Sequence, residues 1–319
     1  MWFKNLSLFR FTGALDADPA TLTEALAAFA FHPVGSHESR SLGWSPPLPG
    51  SEMLYHGVEG ALLLTLRTEE KLLPPAVVRE ALVERVELIE ARDQRQVRRR
   101  ERAQLHEEII RELLPRAFSR SRWDSAYLDP RNHWLVVDSA SARMVETLTG
   151  LLRQSLGSLP IAPLRTRDAP ASILTNWLRD NPPAELELGD ECELREGDEG
   201  GVVRLRGLDL QADEVMRHLD AGMQVTRLAL SWRDRLGFTL GEDLLVRKLR
   251  FLEVVREALD DVHTDDARQL LDAEATLMVG ELRELLAVLP GWFGGEVDTS
   301  GATPALAGTG APPWDTAEA

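Results

Sequence analysis

The stretch from residue 76 to residue 114 reads AVVREALVERVELIEARDQRQVRRRERAQLHEEIIRELL and contains neither glycine nor proline. Its most frequent residues are Glu, Arg, Leu, Val and Ala, and all of these except Val are good helix formers. An apolar stripe runs over residues 78–89 and resumes over residues 105–113. The pattern predicts one long helix, or two helices with a bend, with a total length of about 60 Å. Because only the ends carry an apolar face, we expect residues 90–104 to project into solvent as a finger.

Shorter elements flank this stretch on both sides. Alternating or continuous apolar runs predict strands at residues 2–12, 61–67, 133–138, 202–206, 224–232, 236–240 and 244–251, and residues 159–164 are expected to form a proline-marked crossing. Helical spacing predicts helices at residues 19–30, 140–155, 211–220, 251–260 and 264–289. Residues 31–60 are rich in glycine and proline and are expected to form loops. These elements predict an α+β fold with antiparallel sheets and flanking helices.

The length of 319 residues exceeds the roughly 250–300 at which one hydrophobic core stops growing, which predicts more than one substructure. We expect an N-terminal α+β region formed by residues 1–75 with 123–165, and a C-terminal α+β region over residues 166–290. Residues 76–122 form the helical finger with a dimerisation tip. Residues 291–319 carry acids and no base, and are expected to be a disordered acidic tail.

The charge balance is acidic. The chain has 36 Lys and Arg against 52 Asp and Glu, a net charge of −16, which argues against a nucleic-acid partner. Net charge is nevertheless screened beyond about 8–10 Å at physiological salt, so a local basic surface can still bind phosphate. The bases are almost all arginine, which suits phosphate contacts. A GC-rich genome produces the same bias without any functional cause.

Signals for catalysis, metals and membranes are weak. The sequence holds no His-Glu-x-x-His, Gly-rich phosphate loop or Gly-x-Ser-x-Gly motif. The pair His32 and His37 fits solvated loop histidines better than a metal site, and Cys192 among acids is a poor nucleophile. A cluster of four aspartates suggests either a Mg²⁺ nuclease or helix caps, and we favour caps: Asp260, Asp261, Asp265 and Asp266. No apolar run approaches the ~18 residues of a membrane span, and residues 1–6 do not read as a signal peptide because no basic segment precedes an apolar core, so we expect a cytoplasmic protein.

The finger carries the clearest basic feature. On one continuous helix, Arg92, Arg95, Arg99 and Arg102 fall within an arc of about 80°, with acids on the opposite side. Such a stripe can lie along backbone phosphates without reading bases. A solvated helix with ion pairs at i,i+4 spacing gives the same pattern.

Two further groups of bases follow. Arg116, Arg120 and Arg122 alternate with Phe118 and Trp123, where aromatic rings can stack on bases. Phe118 fits a subunit interface or a buried core position equally well. The third group lies on the meander of residues 224–251, where alternation predicts that Arg227 and Arg233 share one strand face.

Several motifs resemble the bacterial RdgC family of recombination-associated proteins, and the similarity runs from residue 1 to about residue 290. They are Trp2-Phe3-Lys4-Asn5-Leu6, Gly43-Trp44-x-Pro46-Pro47, Glu69-Glu70-Lys71-Leu72-Leu73-Pro74, Leu113-Leu114-Pro115-Arg116-Ala117-Phe118-Ser119-Arg120 and Leu151-Leu152-Arg153-x-Ser155-Leu156-Gly157-Ser158-Leu159-Pro160. The chain departs from the family at Gly207-Leu208, where relatives often carry a polar Lys/Gln-type turn. The segment after about residue 293 has no clear family match.

The resemblance implies a non-catalytic, nucleoid-associated protein that binds double-stranded DNA without strong sequence preference and restrains RecA-mediated recombination. It implies a horseshoe-shaped subunit that closes into a ring homodimer around DNA, with Phe118 at the dimer interface and no cofactor. The family's basic finger helix corresponds to residues 92–102. The residues we predict to bind DNA are Arg92, Arg95, Arg98, Arg99, Arg102, Arg116, Arg120, Arg227, Arg233, Arg247 and Lys248.

Two alternatives stay open. The chain can be a protein-interaction module, in which the finger and the acidic residues 181–200 bind a recombination partner and DNA contact is incidental. A Mg²⁺ nuclease that uses the aspartate cluster is the third hypothesis, and we expect no cleavage.

Overall fold

The computed structural model describes residues 2–14, 19–197, 200–259 and 266–297. Its strands are β1 (Ser7–Phe11), β2 (Arg40–Ser45), β3 (Tyr55–Val58), β4 (Ala61–Lys71), β5 (Ser119–Asp129), β6 (Trp134–Val137), β7 (Ile161–Pro163), β8 (Leu186–Arg195), β9 (Val202–Arg206), β10 (Gln224–Trp232), β11 (Leu236–Gly241) and β12 (Val246–Phe251). Its α-helices are α1 (Pro19–Ala27), α2 (Pro75–Asp93), α3 (Arg99–Leu113), α4 (Ala142–Leu156), α5 (Pro170–Asp180), α6 (Asp213–Asp220), α7 (Glu253–Glu257) and α8 (Ala267–Val288). Short 3₁₀ helices cover Leu114–Arg116 and Leu289–Phe293.

The strands form two antiparallel sheets, which confirms the predicted α+β class. The seven-stranded sheet has the order β2-β4-β5-β6-β1-β7, and β3 also pairs with β4. The five-stranded sheet has the order β12-β11-β10-β8-β9. The backbone of Leu6 joins the two sheets, because its N–H and carbonyl both bond to Val246 at N···O distances of 2.8 and 3.2 Å.

Two large cores hold these layers together. The larger core combines residues from both sheets with residues from α5, α6 and α8, including Tyr127, Trp177 and Trp232. The second core packs the other face of the seven-stranded sheet against α1 and α4, through residues such as Leu64 and Leu148. The seven-stranded sheet is therefore buried on both faces, which accounts for the continuous apolar run at the start of β4.

The finger is a hairpin of two antiparallel helices. Val78 and Leu82 of α2 pack with Leu105 and Ile109 of α3 in a small core of their own. The helix breaks at Gln94, whose φ of 53° lies in the left-handed region. Of the two sequence alternatives, one continuous helix is wrong, and two helices are confirmed. The polar gap in the apolar stripe marks the point where the chain reverses, so the two halves of the stripe cover each other.

Other differences lie outside the finger. Residues 31–60, which were expected to form loops, contain β2 and β3, and the acidic residues 181–200, for which no element was predicted, contain β8. Residues 291–297 pack against the body: Phe293 is fully buried, and Glu296 forms a β-bridge with Thr166. The expected tail therefore cannot start at residue 291. Residues 298–319 lie outside the described part of the chain.

Candidate nucleic-acid interface

The outer face of the five-stranded sheet gathers bases from three of its strands. A recess of ≈ 250 Å³ opens on this face, and five bases that line it outnumber the two acids Glu191 and Glu193. We call these five bases the sheet patch: Arg204, Arg206, Arg227, Arg247 and Lys248. The predicted residues Arg227, Arg247 and Lys248 are thus brought together.

Strand alternation and one bulge place these side chains on the same face. In β9, Arg204 and Arg206 alternate with Val203 and Leu205, which pack on the large core. In β12, a register shift opposite β11 leaves Lys248 at a positive φ of 53°. A bulge re-aims one side chain of a strand, and here both Lys248 and its neighbour Arg247 line the recess.

A buried carboxylate anchors the sheet patch. The side chain of Glu193, in β8, is only 7% exposed, and its Oε2 accepts a hydrogen bond from Arg204 Nε at 2.8 Å. Oε2 also lies 3.5 Å from Arg227 Nη1. Burial alone raises the pKa of Glu193, but the hydrogen bond from Arg204 and the charge of Arg227 outweigh it, so this pKa lies below its ordinary value. Glu193 therefore stays ionised and holds two arginines in place.

The second acid of the recess is more exposed. Glu191 bonds to Lys248 Nζ, and its Oε1 lies 3.8 Å from Arg206 Nε. The hydrogen bond from Lys248 lowers the pKa of Glu191. Arg206 has a side chain that is 70% exposed and Arg204 one that is 68% exposed, so both remain available to an anion in solution.

Arg233 is not part of this face, so its predicted place beside Arg227 is wrong. Strand β10 ends at Trp232, and Arg233 begins the turn to β11 with a φ of 49°. Its guanidinium lies 2.9 Å from Glu185 and 3.6 Å from Glu284, a residue of α8. The turn geometry ends the alternation on which the prediction depended.

The finger arginines do not form one stripe, which corrects the helical projection. Arg92 lies in α2, Arg95 and Arg98 in the turn, and Arg99 and Arg102 in α3. Two of these five are neutralised locally, because Arg92 Nε contacts Asp93 Oδ1 and Arg95 Nη2 contacts Glu101 Oε1, each at 2.7 Å.

The other bases at this end of the hairpin are exposed. In the described part of the chain we find no ion pair for Arg98, Arg99 or Arg102. Arg100, which was not among the predicted DNA-binding residues, is exposed beside them. A second, smaller group of bases therefore lies where the hairpin turns.

Phe118 lies at the base of the hairpin and not at its tip. Its carbonyl accepts a hydrogen bond from the N–H of Leu72 at 2.7 Å, where the chain re-enters the seven-stranded sheet. The side chain is 84% exposed, which excludes the buried core position. Arg116 ends the preceding 3₁₀ helix, and Arg120 of β5 contacts Glu70 Oε1 at 2.5 Å.

Comparison with known proteins decides the family. Residues 1–296 match a family model described as "Putative exonuclease, RdgC". The chain belongs to the RdgC family. It is 41% identical over 299 residues to Recombination-associated protein RdgC of Psychromonas ingrahamii, an alignment covering 93% of this chain and 99% of the relative. The corresponding proteins of Aeromonas hydrophila and Haemophilus influenzae are 42% and 41% identical, with the same coverage of both chains.

Family membership places the chain among recombination-associated proteins and assigns no role to individual residues. The turn Gly207-Leu208, where this chain departs from the family pattern, follows β9. Gly207 adopts a φ of 65° and donates its N–H to Asp190 O at 2.8 Å, while Leu208 is exposed. No helix among the residues described here is long and apolar enough to cross a membrane.

The residues considered for catalysis have structural surroundings. Burial raises the pKa of the Cys192 thiol to about 12, so it is not a nucleophile at neutral pH. Asp266 caps α8 by accepting a hydrogen bond from the Arg268 N–H at 2.8 Å, as expected for a cap. Asp260, Asp261 and Asp265 lie outside the described residues. Within the described ranges, no three His, Cys, Asp or Glu side chains are arranged to hold a metal ion.

Sequence reasoning missed Arg204 and Arg206, although it predicted their strand. The signal was present, because two arginines two residues apart on a strand share a face. Which face they share, and that β8 lies between them and Arg227, depends on pairing between distant strands.

Proposed function

We propose that this chain binds double-stranded DNA through phosphate contacts made by the sheet patch. The observation that carries the proposal is the convergence of five bases on one open sheet face of a chain with a net charge of −16. A cleft lined mainly by one sign of charge raises the local concentration of ligands of the opposite charge, which supports an anionic ligand here. Arginine and lysine contacts to phosphates carry no sequence information, so binding is independent of sequence.

The exposed bases at the turn of the hairpin provide a second contact. Arg98, Arg99 and Arg102 have no competing carboxylate in the described structure, and such side chains can follow a DNA backbone. Some residues of the sheet patch and of the hairpin bases were predicted from the sequence, and the roles of both groups in DNA binding are proposals.

The proposal includes self-association. Phe118 at the base of the hairpin and Trp123 within β5 are exposed aromatic residues, 84% and 57% accessible. Exposed aromatic side chains are characteristic anchors of protein interfaces. A homodimer of horseshoe-shaped subunits joined there can encircle duplex DNA as a ring, as the family resemblance implies.

The chain acts, in this proposal, without catalysis and without a cofactor, at the nucleoid. By occupying duplex DNA it limits access for RecA and so restrains RecA-mediated recombination. Its relatives are named recombination-associated proteins, which supports a place in this process.

The direct test compares the natural chain with the double variant Arg204→Gln/Arg206→Gln on two duplexes of unrelated sequence. We expect equal affinities of the natural chain for both duplexes and at least a tenfold loss in the variant. Arg179→Gln and Arg217→Gln, which change exposed arginines on α5 and α6, are matched controls and should bind normally.

A partner-binding module makes the opposite prediction. If DNA contact is incidental, the Arg204→Gln/Arg206→Gln variant binds DNA like the natural chain, and substitution of the hairpin bases changes only the binding of a recombination protein. The variant Arg95→Glu/Arg99→Glu separates the two hypotheses, because the proposal requires weaker DNA binding with the dimer intact.

A further inference from the structure

A recess between the seven-stranded sheet and α4 concentrates positive charge. Its volume is ≈ 200 Å³, and four arginines from three elements line it: Arg40 of β2, Arg120 and Arg122 of β5, and Arg143 of α4. Glu70 is the one acid among the lining residues, and it contacts Arg120. The fold therefore directs more cations into this recess than its carboxylates neutralise.

Strand register explains how these side chains meet. Arg40 and Arg120 are both register partners of Glu70, so the three residues form a row across β2, β4 and β5. Arg122 is the register partner of Thr68 in the next row. The first turns of α4 form the wall above this floor, with Arg143 exposed at its edge.

Two of the four arginines are available for a ligand. Arg122 Nε is bonded to Asp124 Oδ2 at 2.8 Å, and Arg120 to Glu70. For Arg40 and Arg143 we find no ion pair within the described ranges. A planar guanidinium without a carboxylate partner binds phosphate oxygens through paired hydrogen bonds.

A buried hydroxyl provides independent support. Thr68 lines the recess, is 5% exposed, and its Oγ1 has no hydrogen-bond partner among the described residues. Buried hydroxyls in folded proteins are nearly always hydrogen-bonded, and an unpaired one calls for an explanation such as a missing ligand. Ser141, the N-cap of α4, also lines the recess and makes no side-chain cap hydrogen bond.

We infer that this recess binds a phosphate group, with Arg40 and Arg143 as its main ligands and the Thr68 hydroxyl as a donor. The site is separate from the sheet patch, so it does not depend on the function proposed above. A DNA strand and free inorganic phosphate share this chemistry, and the experiment below distinguishes them.

The first measurement is equilibrium dialysis of radiolabelled inorganic phosphate against the full chain, in chloride buffer of fixed ionic strength. We expect one phosphate per chain and at least a tenfold loss of affinity in Arg40→Gln/Arg143→Gln. Arg153→Gln changes an exposed arginine on α4 outside the recess and should bind like the natural chain. Absence of binding by the natural chain, or equal binding by the double variant, overturns the inference.

The variant Thr68→Val separates a ligand role from a structural one, because it keeps the shape and removes the hydroxyl. We expect weaker phosphate binding with no loss of thermal stability. A lower melting temperature with unchanged phosphate affinity would assign the hydroxyl to the fold and overturn its role as a donor.

Competition then identifies the source of the phosphate. Duplexes of one sequence, ending in 5′-phosphate or 5′-hydroxyl groups, are added to the phosphate-loaded chain. Displacement by the phosphorylated duplex alone supports a strand-end phosphate, and equal displacement by both supports a backbone phosphate. Displacement by neither, with phosphate still bound, supports free phosphate as the ligand.

Discussion

Glu193 and Arg227 are register partners on the neighbouring strands β8 and β10, with Oε2 and Nη1 3.5 Å apart. Because the same carboxylate accepts the hydrogen bond from Arg204, one acid links three strands across the outer face of the sheet. The acid orders the two arginines and also offsets part of their charge. Its removal therefore has opposite effects on stability and on anion binding.

Glu193→Gln is expected to tighten DNA binding and to destabilise the fold. The variant leaves two arginines without their carboxylate, so affinity at low salt should rise severalfold. Loss of the charge-assisted hydrogen bond should lower the free energy of unfolding by about 1–2 kcal/mol, less than for a fully buried pair because Arg204 is exposed. Urea denaturation and a DNA-binding titration measure the two effects.

Glu187→Gln is the control, since Glu187 is an exposed acid on the same strand. If Glu193→Gln weakens DNA binding, the ordering of Arg204 and Arg227 by the carboxylate outweighs its competition with phosphate, and the predicted gain in affinity is wrong.

The free energy of unfolding should depend on pH in part through the ionisation of Glu193. Its pKa is lowered in the folded chain, so its contribution is complete above the unfolded value of about 4.3 and is lost as pH falls through the folded value. The difference in unfolding free energy between the natural chain and Glu193→Gln should be constant above about pH 5 and shrink below about pH 4. Urea midpoints of both proteins at several pH values test this, and a difference that grows toward acid would contradict it.

The sequence predicted the finger but not its shape. The apolar stripe defined both helices, yet a polar gap looks the same in an exposed helix and at a hairpin turn. Only the packing of α2 against α3 in their shared small core distinguishes them. Likewise, the apolar pattern placed Arg204 on a strand, but its neighbour Glu193 comes from the acidic segment 181–200, which had a role only in the alternative hypothesis of a partner-binding module. Pairing between distant strands, which no local pattern encodes, completes the candidate site.

The hairpin should unfold locally when its own small core is damaged. Ile109 is 2% exposed, and Ile109→Ala should lower the stability of the hairpin by about 2–5 kcal/mol because it leaves a cavity in this core. Because α2 and α3 form a core separate from the sheets, hydrogen exchange should accelerate in these helices and stay slow in β4 and β5. Equal acceleration in the sheet would show that the hairpin is not an independent unit.

Phe118→Ala tests the proposed subunit contact. The side chain is 84% exposed in one chain, so its truncation should leave the unfolding free energy of the monomer within about 0.5 kcal/mol. If the ring is joined at this residue, the dimer dissociation constant should rise at least tenfold by sedimentation equilibrium. The exposed Leu88→Ala on α2 is the matched control. An unchanged dimer would place the contact elsewhere.

The measurement that tests the central claim most directly is the affinity of the natural chain for an arbitrary duplex across a salt series. The account predicts a steep linear fall of log affinity with log salt, the same for unrelated sequences, because each phosphate contact releases counterions. Arg206→Gln should reduce the slope of log affinity against log salt by about 1, the amount expected for one lost phosphate contact, and Arg217→Gln should leave the slope unchanged. Binding that is absent at low salt, or whose slope is unchanged in Arg206→Gln, would contradict the account.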